Sequence, residues 1–204
     1  MIAIIDYDAG NLRNVEKAFR FLGRETIVTD DRDALLAADH VVLPGVGAFG
    51  DCMSSIRAKG LEGAIHKVVE SGTPFLGICL GMQLLFEESE ESPGVKGLGI
   101  LPGRIRRIPD CGLKIPHMGW NDIDCRGRLF EGLERPFAYF VHSYCLDAAD
   151  KSIVSATTEY GAKIEVAVER DNIFATQFHP EKSGAAGLRM LENFADMGRD
   201  GNVR

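Results

Sequence analysis

The chain has 204 residues, of which 45% are hydrophobic and 26% charged, a balance that suits one globular domain with a sizeable core and excludes disorder and fibrous repeats. Its formal net charge of −7 argues against a nucleic-acid groove as the main business of the surface. Five cysteines, at 52, 79, 111, 125 and 145, form no C-x-x-C pair and leave one over, which fits a reducing compartment better than a disulfide framework or a zinc site.

Ile2, Ala3, Ile4 and Ile5 form a continuous apolar run ended by Asp6, as expected of a central parallel strand covered on both faces. Leu12, Val15, Ala18, Phe19 and Leu22 then recur at helical spacing until Gly23. Strands follow at Thr26 to Thr29 and His40 to Leu43, the second leading into Pro44-Gly45-Val46-Gly47-Ala48-Phe49-Gly50. That turn is too rich in glycine for helix or strand, and its backbone can approach a reacting centre closely. Helical patterns at about 51 to 58 and 61 to 70 precede a strand at Phe75 to Ile78. Strands alternating with helices predict an α/β fold: a doubly wound, mostly parallel sheet with ligands at the carboxyl ends of its strands. Asp6, Leu43 and Cys79 should line one rim.

Residues 73 to 83, Thr-Pro-Phe-Leu-Gly-Ile-Cys-Leu-Gly-Met-Gln, read as a nucleophile elbow. Cys79 sits where the strand stops and a helix with one apolar face begins, and Gly77 and Gly81 leave room for a sharp turn. Free amides and the helix dipole there favour thiolate over thiol. A buried structural cysteine is the commoner fate of the residue type, and it is the reading taken for the other four. Glu87, Glu88, Glu90 and Glu91 then read mainly as a solvated helix end.

From residue 94 the texture changes to short apolar segments separated by Gly, Pro and Asp, which predicts added antiparallel strands in the C-terminal half: 97–101, 104–108, 137–141, 153–157, 164–169 and 173–178. Pro116-His117-Met118-Gly119-Trp120-Asn121 reads as a polar and aromatic loop, and Ser183 as the cap of a final helix. No repeat, low-complexity tract or linker interrupts residues 1–204, which read as one domain. The opening Met-Ile-Ala-Ile-Ile-Asp has no basic n-region and no run is long enough to span a bilayer, so a cytoplasmic location is expected.

A thiolate needs a base. His40 and His66 lie in apolar or amphipathic elements and suit structural roles, while His117 and His142 sit in loop-like segments and stay open. His179 has the stronger claim: Pro180 restricts it to extended backbone, which turns residues two apart to the same side and makes Glu181 its neighbour. A carboxylate beside an imidazole fixes its tautomer and stabilises the imidazolium. The expected triad is Cys79, His179 and Glu181. The amide of Leu80 is placed to donate to a developing oxyanion, with a second donor from the Gly45-Val46-Gly47 backbone, either Val46 or Gly47. Because a missing donor costs about 2.7 to 4 kcal/mol of barrier, the conformation of that loop can switch the site. Gln83, one turn beyond Cys79, is placed to hold a substrate.

With these residues assembled, the chain resembles the class I (triad) glutamine amidotransferases, whose signatures are similar to Gly77-Ile-Cys79-Leu-Gly81-Met-Gln83 and His179-Pro-Glu181. Within that family it resembles the HisH branch, the glutaminase subunits of imidazole glycerol phosphate synthase. The narrower resemblance rests on Asp6 to Asn11, Leu43 to Phe49, Pro116 to Asn121, His142-Ser143-Tyr144 and Gln177 to Ser183. It covers the whole chain. Asp8 departs from the pattern, which usually has glycine there, and this bears on the first loop rather than on the triad.

The resemblance implies hydrolysis of L-glutamine to L-glutamate and ammonia through a Cys79 thioester. It also implies a heterodimer with a HisF-type cyclase subunit, which receives the ammonia and forms imidazole glycerol phosphate and an aminoimidazole carboxamide ribotide (AICAR) in histidine biosynthesis. Gly47, Gln83, His142, Ser143 and Tyr144 match the glutamine-pocket segments, with Glu91 a candidate for the substrate ammonium. Asn11, Asn14, Trp120, Asn121 and Lys182 match the partner interface. No cofactor or metal is expected, no phosphate loop of the G-x-x-x-x-G-K-[ST] type is present, and neither membrane nor nucleic acid is an expected partner. Rival readings are a paralogous glutaminase serving another biosynthetic enzyme, a non-catalytic binding module, and a thiol hydrolase on a related fold.

Overall fold

The first strand, β1 (Ile2–Ile5), is buried at every position, because both faces of the sheet it belongs to are covered. In the computed structural model, which describes residues 1–8 and 10–198, Ala3 and Ile5 pack into one apolar layer and Ile2 and Ile4 into the other. The period-two alternation of a strand thus divides one hydrophobic run between two cores.

The elements following β1 are α1 (Leu12–Phe21), β2 (Thr26–Thr29), α2 (Arg32–Ala37), β3 (His40–Gly45), α3 (Phe49–Ala58), α4 (Glu62–Glu70), β4 (Phe75–Cys79), α5 (Leu80–Leu84) and β5 (Glu88–Ser89). The second half contains β6 (Gly103–Arg107), β7 (His117–Asp122), β8 (Asp124–Cys125), β9 (Phe137–His142), β10 (Tyr144–Ala148), β11 (Val154–Glu159), β12 (Lys163–Arg170), β13 (Ile173–Thr176) and α6 (Gly184–Ala195). The main sheet runs β2-β1-β3-β4-β13-β12-β10-β6-β5, with β11 and β8 attached beside β12. From β2 to β13 the pairing is parallel. Beyond β13 it is antiparallel through β12, β10 and β6. Helices α3 and α4 cover one face, and α1 and α6 the other. This is the expected doubly wound α/β sheet with antiparallel additions, and the carboxyl ends of β1, β3 and β4 form one rim.

Several local expectations change. Residues 97–101 are not a strand: Leu98 donates to the carbonyl of Leu84, and Ile100 and Leu101 donate to that of Leu85. The segment therefore satisfies carbonyls at the end of α5, groups that a helix leaves without internal partners. The elbow helix is only five residues long and is buried on all sides, not on one apolar face. The acidic run is partly structural, since Glu87, Glu90 and Glu91 accept from the amides of Gly103, Arg107 and Phe49.

The expected loop 116–121 is largely strand β7, paired antiparallel with β9 in register His117↔His142 through Asp122↔Phe137. Local sequence hid this pairing because its partner lies some twenty residues away across a turn-rich stretch. His117 and His142 are consequently strand residues and not loop residues. Strands β5, β8 and β10 add to the strands expected from sequence. Ser183 precedes α6 but does not cap it with its side chain; its hydroxyl donates to the carbonyl of His179 at 2.7 Å and accepts from the Tyr139 amide at 3.0 Å.

In the first loop, Asp8 adopts φ 64°, the left-handed region where Asp is tolerated better than most non-glycine residues. Its amide donates to Asp6 Oδ1 and its carboxylate pairs with Lys59. Ala9 of that motif lies outside the described residues. Among the described residues no helix is long and apolar enough to cross a membrane.

Candidate active site

Cys79 ends β4 with φ 56° and ψ −110°, a sparsely allowed combination for a residue with a side chain. Such strain persists only where the surroundings enforce it, and the glycines supply the enforcement. A Cβ on Gly81 would lie 1.8 Å from the carbonyl oxygen of Leu43, and one on Gly77 would lie 2.9 Å from the carbonyl oxygen of Gly81. The elbow is thus wedged against β3 by close backbone contact. Leu80 opens α5, so its amide belongs to the first turn, where N–H groups have no internal acceptor.

His179 approaches from β13 with extended backbone, φ −100° and ψ 96°, as expected of a residue before proline. Its Nδ1–H donates to Glu181 Oε1 over 2.8 Å, and both side chains are almost wholly buried. His179 Nε2 and Glu181 Oε2 are buried without a hydrogen-bond partner among the described residues. Burial disfavours the imidazolium, but interaction with the Cys79 sulfur and the Glu181 carboxylate outweighs it and raises the His179 pKa to about 9. The imidazole is thus held between a sulfur and a carboxylate.

The turn expected over 44–50 is shorter than that, since Pro44 and Gly45 end β3 and Phe49 and Gly50 open α3, and the Gly45-Val46-Gly47 segment faces this group. Gly47 has φ 108°, a conformation that favours glycine. The carbonyl of Pro44 accepts from the buried Tyr7 hydroxyl at 2.7 Å, and that of Val46 accepts from Cys52 Sγ at 3.6 Å. In a planar trans peptide the next N–H points opposite to the carbonyl, so the Gly47 amide is directed away from Cys52. Burial pushes the Tyr7 and Cys52 pKa values up, which keeps both groups protonated as donors.

Val46, Gly47, Cys79, Leu80, Gln83, Glu91, His142, Ser143, Tyr144 and His179 line a pocket of about 450 Å³. Every expected nucleophile, base, oxyanion and substrate position borders it except Glu181, which lies behind His179. Gln83 is buried, and its amide nitrogen donates to Gln177 Oε1 at 2.9 Å and to the Tyr144 carbonyl at 3.4 Å. Only its carbonyl oxygen is left for a ligand. One oxygen of Glu91 accepts from the Phe49 amide at the start of α3.

The remaining expected residues lie at the surface. Asn11 immediately precedes α1 and Asn14 is exposed on its first turn. Trp120, 56% exposed, packs edge-on to Tyr139, whose ring also faces the Lys182 ammonium at 5.9 Å. Met118 and Phe137, 62% and 59% exposed, extend this apolar face along β7 and β9.

The glutamine amidotransferase class-I family model matches residues 3–197. Imidazole glycerol phosphate synthase subunit HisH of Syntrophotalea carbinolica is 54% identical over 206 residues, covering 97% of this chain and 100% of that protein. Subunit HisH of Methanothermobacter thermautotrophicus is 52% identical over 199 residues, with 97% and 98% covered. This chain belongs to the class I glutamine amidotransferases, in their HisH branch.

The fold of this amidotransferase is shared more widely. A crystal structure of a glutamine amidotransferase superposes with a TM-score of 0.75 at 22% identity, covering 96% of this chain and 100% of the other. PurLQS from Thermotoga maritima gives 0.73 at 21% identity, with 95% and 96% covered.

Three buried residues of this HisH-type site carry no site role on sequence alone, although Tyr7 and Gln177 lie within the stretches that carry the resemblance and Cys52 reads as a structural cysteine. Gln177 donates from Nε2 to Cys79 Sγ at 3.7 Å, while Tyr7 and Cys52 hold the glycine turn from beneath. Their positions just after β13, in the first loop and on α3 do not by themselves assign a role, since each looks like an ordinary core residue until the chain is folded. The polar ends of Gln177 and Tyr7 next to apolar strands are the one hint available, because buried polar groups require partners.

Proposed function

We propose that this chain, acting as one domain over residues 1–204, is the glutaminase subunit of imidazole glycerol phosphate synthase. Cys79 is the nucleophile, His179 the acid and base, and Glu181 the group that orients the imidazole. The Cys79 thiolate attacks the side-chain carboxamide carbon of glutamine, and the negative oxygen formed is met by the Leu80 amide and by an amide of the Val46-Gly47 turn. His179 gives its proton to the departing nitrogen, so ammonia leaves and a thioester remains. Water, deprotonated by the now neutral His179, attacks that thioester to give glutamate and return Cys79.

The observation that carries this reading is the buried Cys79, His179 and Glu181 grouping at a pocket of amino-acid size, in a chain about half identical to HisH subunits over nearly full length. Gly47, Gln83, Glu91, His142, Ser143 and Tyr144 would hold the substrate, Glu91 by its free carboxylate oxygen. Asn11, Asn14, Trp120, Asn121 and Lys182 would meet the HisF cyclase, a role supported by the exposed apolar face around Trp120. Ammonia then passes to the cyclase and is incorporated into imidazole glycerol phosphate, with AICAR as co-product. A cytoplasmic site of action is supported by five cysteines without paired spacing.

The test is glutamine hydrolysis by the isolated chain, then with the histidine-pathway cyclase and its nucleotide ligand. Low activity alone and strong stimulation in the complex are expected. Failure to bind that cyclase, or no stimulation by it, would sink the HisH assignment, and turnover of peptides or esters independent of any partner would favour a thiol hydrolase. A Cys79→Ser protein retaining full hydrolysis in the complex would refute the nucleophile.

A further inference from the structure

His117 and His142 are buried imidazoles that take no proton in the steps above, and their bonding has a definite direction. His142 Nδ1 lies 2.8 Å from the carbonyl oxygen of Tyr144. A carbonyl only accepts, so Nδ1 carries the proton and Nε2 of the neutral ring is an acceptor. His117 Nδ1 lies 3.0 Å from that Nε2 and must therefore donate to it. This leaves His117 Nε2 to accept from Asn121 Nδ2 at 3.4 Å. The same Asn121 amide donates to the carbonyl of Glu159 at 3.0 Å, which fixes its orientation. Each hydrogen bond determines the next, and both rings must be neutral with the proton on Nδ1.

The surroundings enforce that state. His117 is stacked between Phe140, with ring centroids 4.6 Å apart, and Tyr160, at 4.0 Å, and among the described residues the hydrogen-bond partners of the two rings are each other, Asn121 and the Tyr144 carbonyl, with no carboxylate. Burial holds the pKa of both histidines down to about 4. Neither ring is protonated at neutral pH, so neither can replace His179 as the charged partner of the thiolate.

Beyond Tyr144 the chain of contacts runs inward. The Tyr144 carbonyl that receives the His142 proton also receives Gln83 Nε2, which in turn bonds Gln177, and Gln177 donates to Cys79 Sγ. At its other end the series begins at Asn121, next to exposed Trp120 on β7.

We infer that Asn121, His117 and His142 form a one-way hydrogen-bond chain that sets the Tyr144 carbonyl, and through it Gln83 and Gln177, so that the substrate pocket is positioned from the strand that carries Trp120. The inference rests on reading this pocket as the glutamine site. His117 and His142 are positioning residues: they touch no reacting atom, and their contribution is to hold a pocket wall in the geometry that binds substrate. Buried polar chains of this kind act only when every member is satisfied, and here the directions agree at each link.

Nitrogen-15 NMR of the histidine rings in the full-length protein at pH 7, free and in complex with the cyclase, reads the tautomers directly. Both rings should be neutral with the proton on Nδ1. A proton on Nε2 of either ring, or a charged ring, would overturn the chain whatever the protein's activity. The second measurement is glutaminase kinetics in the complex. His117→Asn keeps a donor near the Nδ1 position and should hold KM within about twofold, whereas His117→Gln loses that donor and should raise KM about fivefold to tenfold with kcat changed less. A wild-type KM for His117→Gln would also overturn the inference. If His117→Gln does not fold, the wild-type tautomers decide alone. Absence of glutamine hydrolysis by the wild-type complex would instead remove the functional reading and leave the tautomer result standing.

Discussion

His179 Nδ1 and Glu181 Oε1 are 2.8 Å apart in a setting where the second carboxylate oxygen has no hydrogen-bond partner among the described residues. Glu181 thus directs its charge at the imidazole. Replacing it by glutamine removes the charge that orients and stabilises the imidazolium and should lower kcat in the cyclase complex by about 10² to 10⁴-fold. The His179 pKa should fall from about 9, measurable by NMR titration. The linkage has a definite sign: a raised histidine pKa stabilises the fold fully below the unfolded value near 6.5, and that contribution is lost as pH rises through about 9. Wild-type protein should therefore lose stability over this alkaline interval, and Glu181→Gln should lose less. Equal losses in denaturant titrations across the interval would show that Glu181 does not hold the proton.

Two glycines of the site separate folding from catalysis. Gly81→Ala places a Cβ 1.8 Å from the Leu43 carbonyl oxygen, and since that oxygen is backbone the strand must shift. A loss of about 3 kcal/mol or more in chemical denaturation is expected, at the upper end of overpacking effects. Gly47→Ala meets no atom within 4 Å but strains a residue at φ 108°. It should cost about 1 to 2 kcal/mol and, by disturbing the turn proposed to supply an oxyanion donor, lower kcat by about 10²-fold or more. Equal kcat in Gly47→Ala and wild type would remove the turn from the mechanism.

Acid should destabilise the protein through His117 and His142. Their pKa values are depressed to about 4 by burial, so the unfolded chain takes up protons between pH 6.5 and about 4 that the folded chain refuses. Stability from this source is present above 6.5 and lost as pH falls toward about 4. For His142 the loss at pH 5 relative to neutral pH is on the order of 2 kcal/mol. A His142→Asn protein should show a correspondingly flatter decline in urea titrations between pH 7 and 5, and an identical decline would contradict the assignment.

The exposed face around Trp120 should report on the partner without reporting on the fold. Trp120→Ala should weaken the cyclase complex by about 30-fold or more, as expected for a central aromatic anchor, and leave the melting temperature of the isolated chain nearly unchanged. Lys182→Ala, which removes a charge above Tyr139, should weaken it less and chiefly at low salt. Calorimetric titration measures both, and wild-type affinity for Trp120→Ala would move the interface elsewhere.

Sequence alone determined the parallel half of the sheet, the elbow at Cys79 and the His179-Glu181 pair, because each depends on short-range physics: continuous apolar runs, glycines two residues from a strained turn, and an extended residue before proline. Tertiary structure alone decided what lies between distant segments. Pairing of β7 with β9 turned an apparent loop into a strand and brought His117 against His142, and packing of residues 97–101 under α5 removed a predicted strand. Gln177, Tyr7 and Cys52 gained their places near the nucleophile only because β13, the first loop and α3 converge on one rim. Their partners lie 37 and 98 residues away for Tyr7 and Gln177, and a hydrogen bond closed over such separations leaves no periodicity in the sequence, since its geometry is set by the stacking of whole elements.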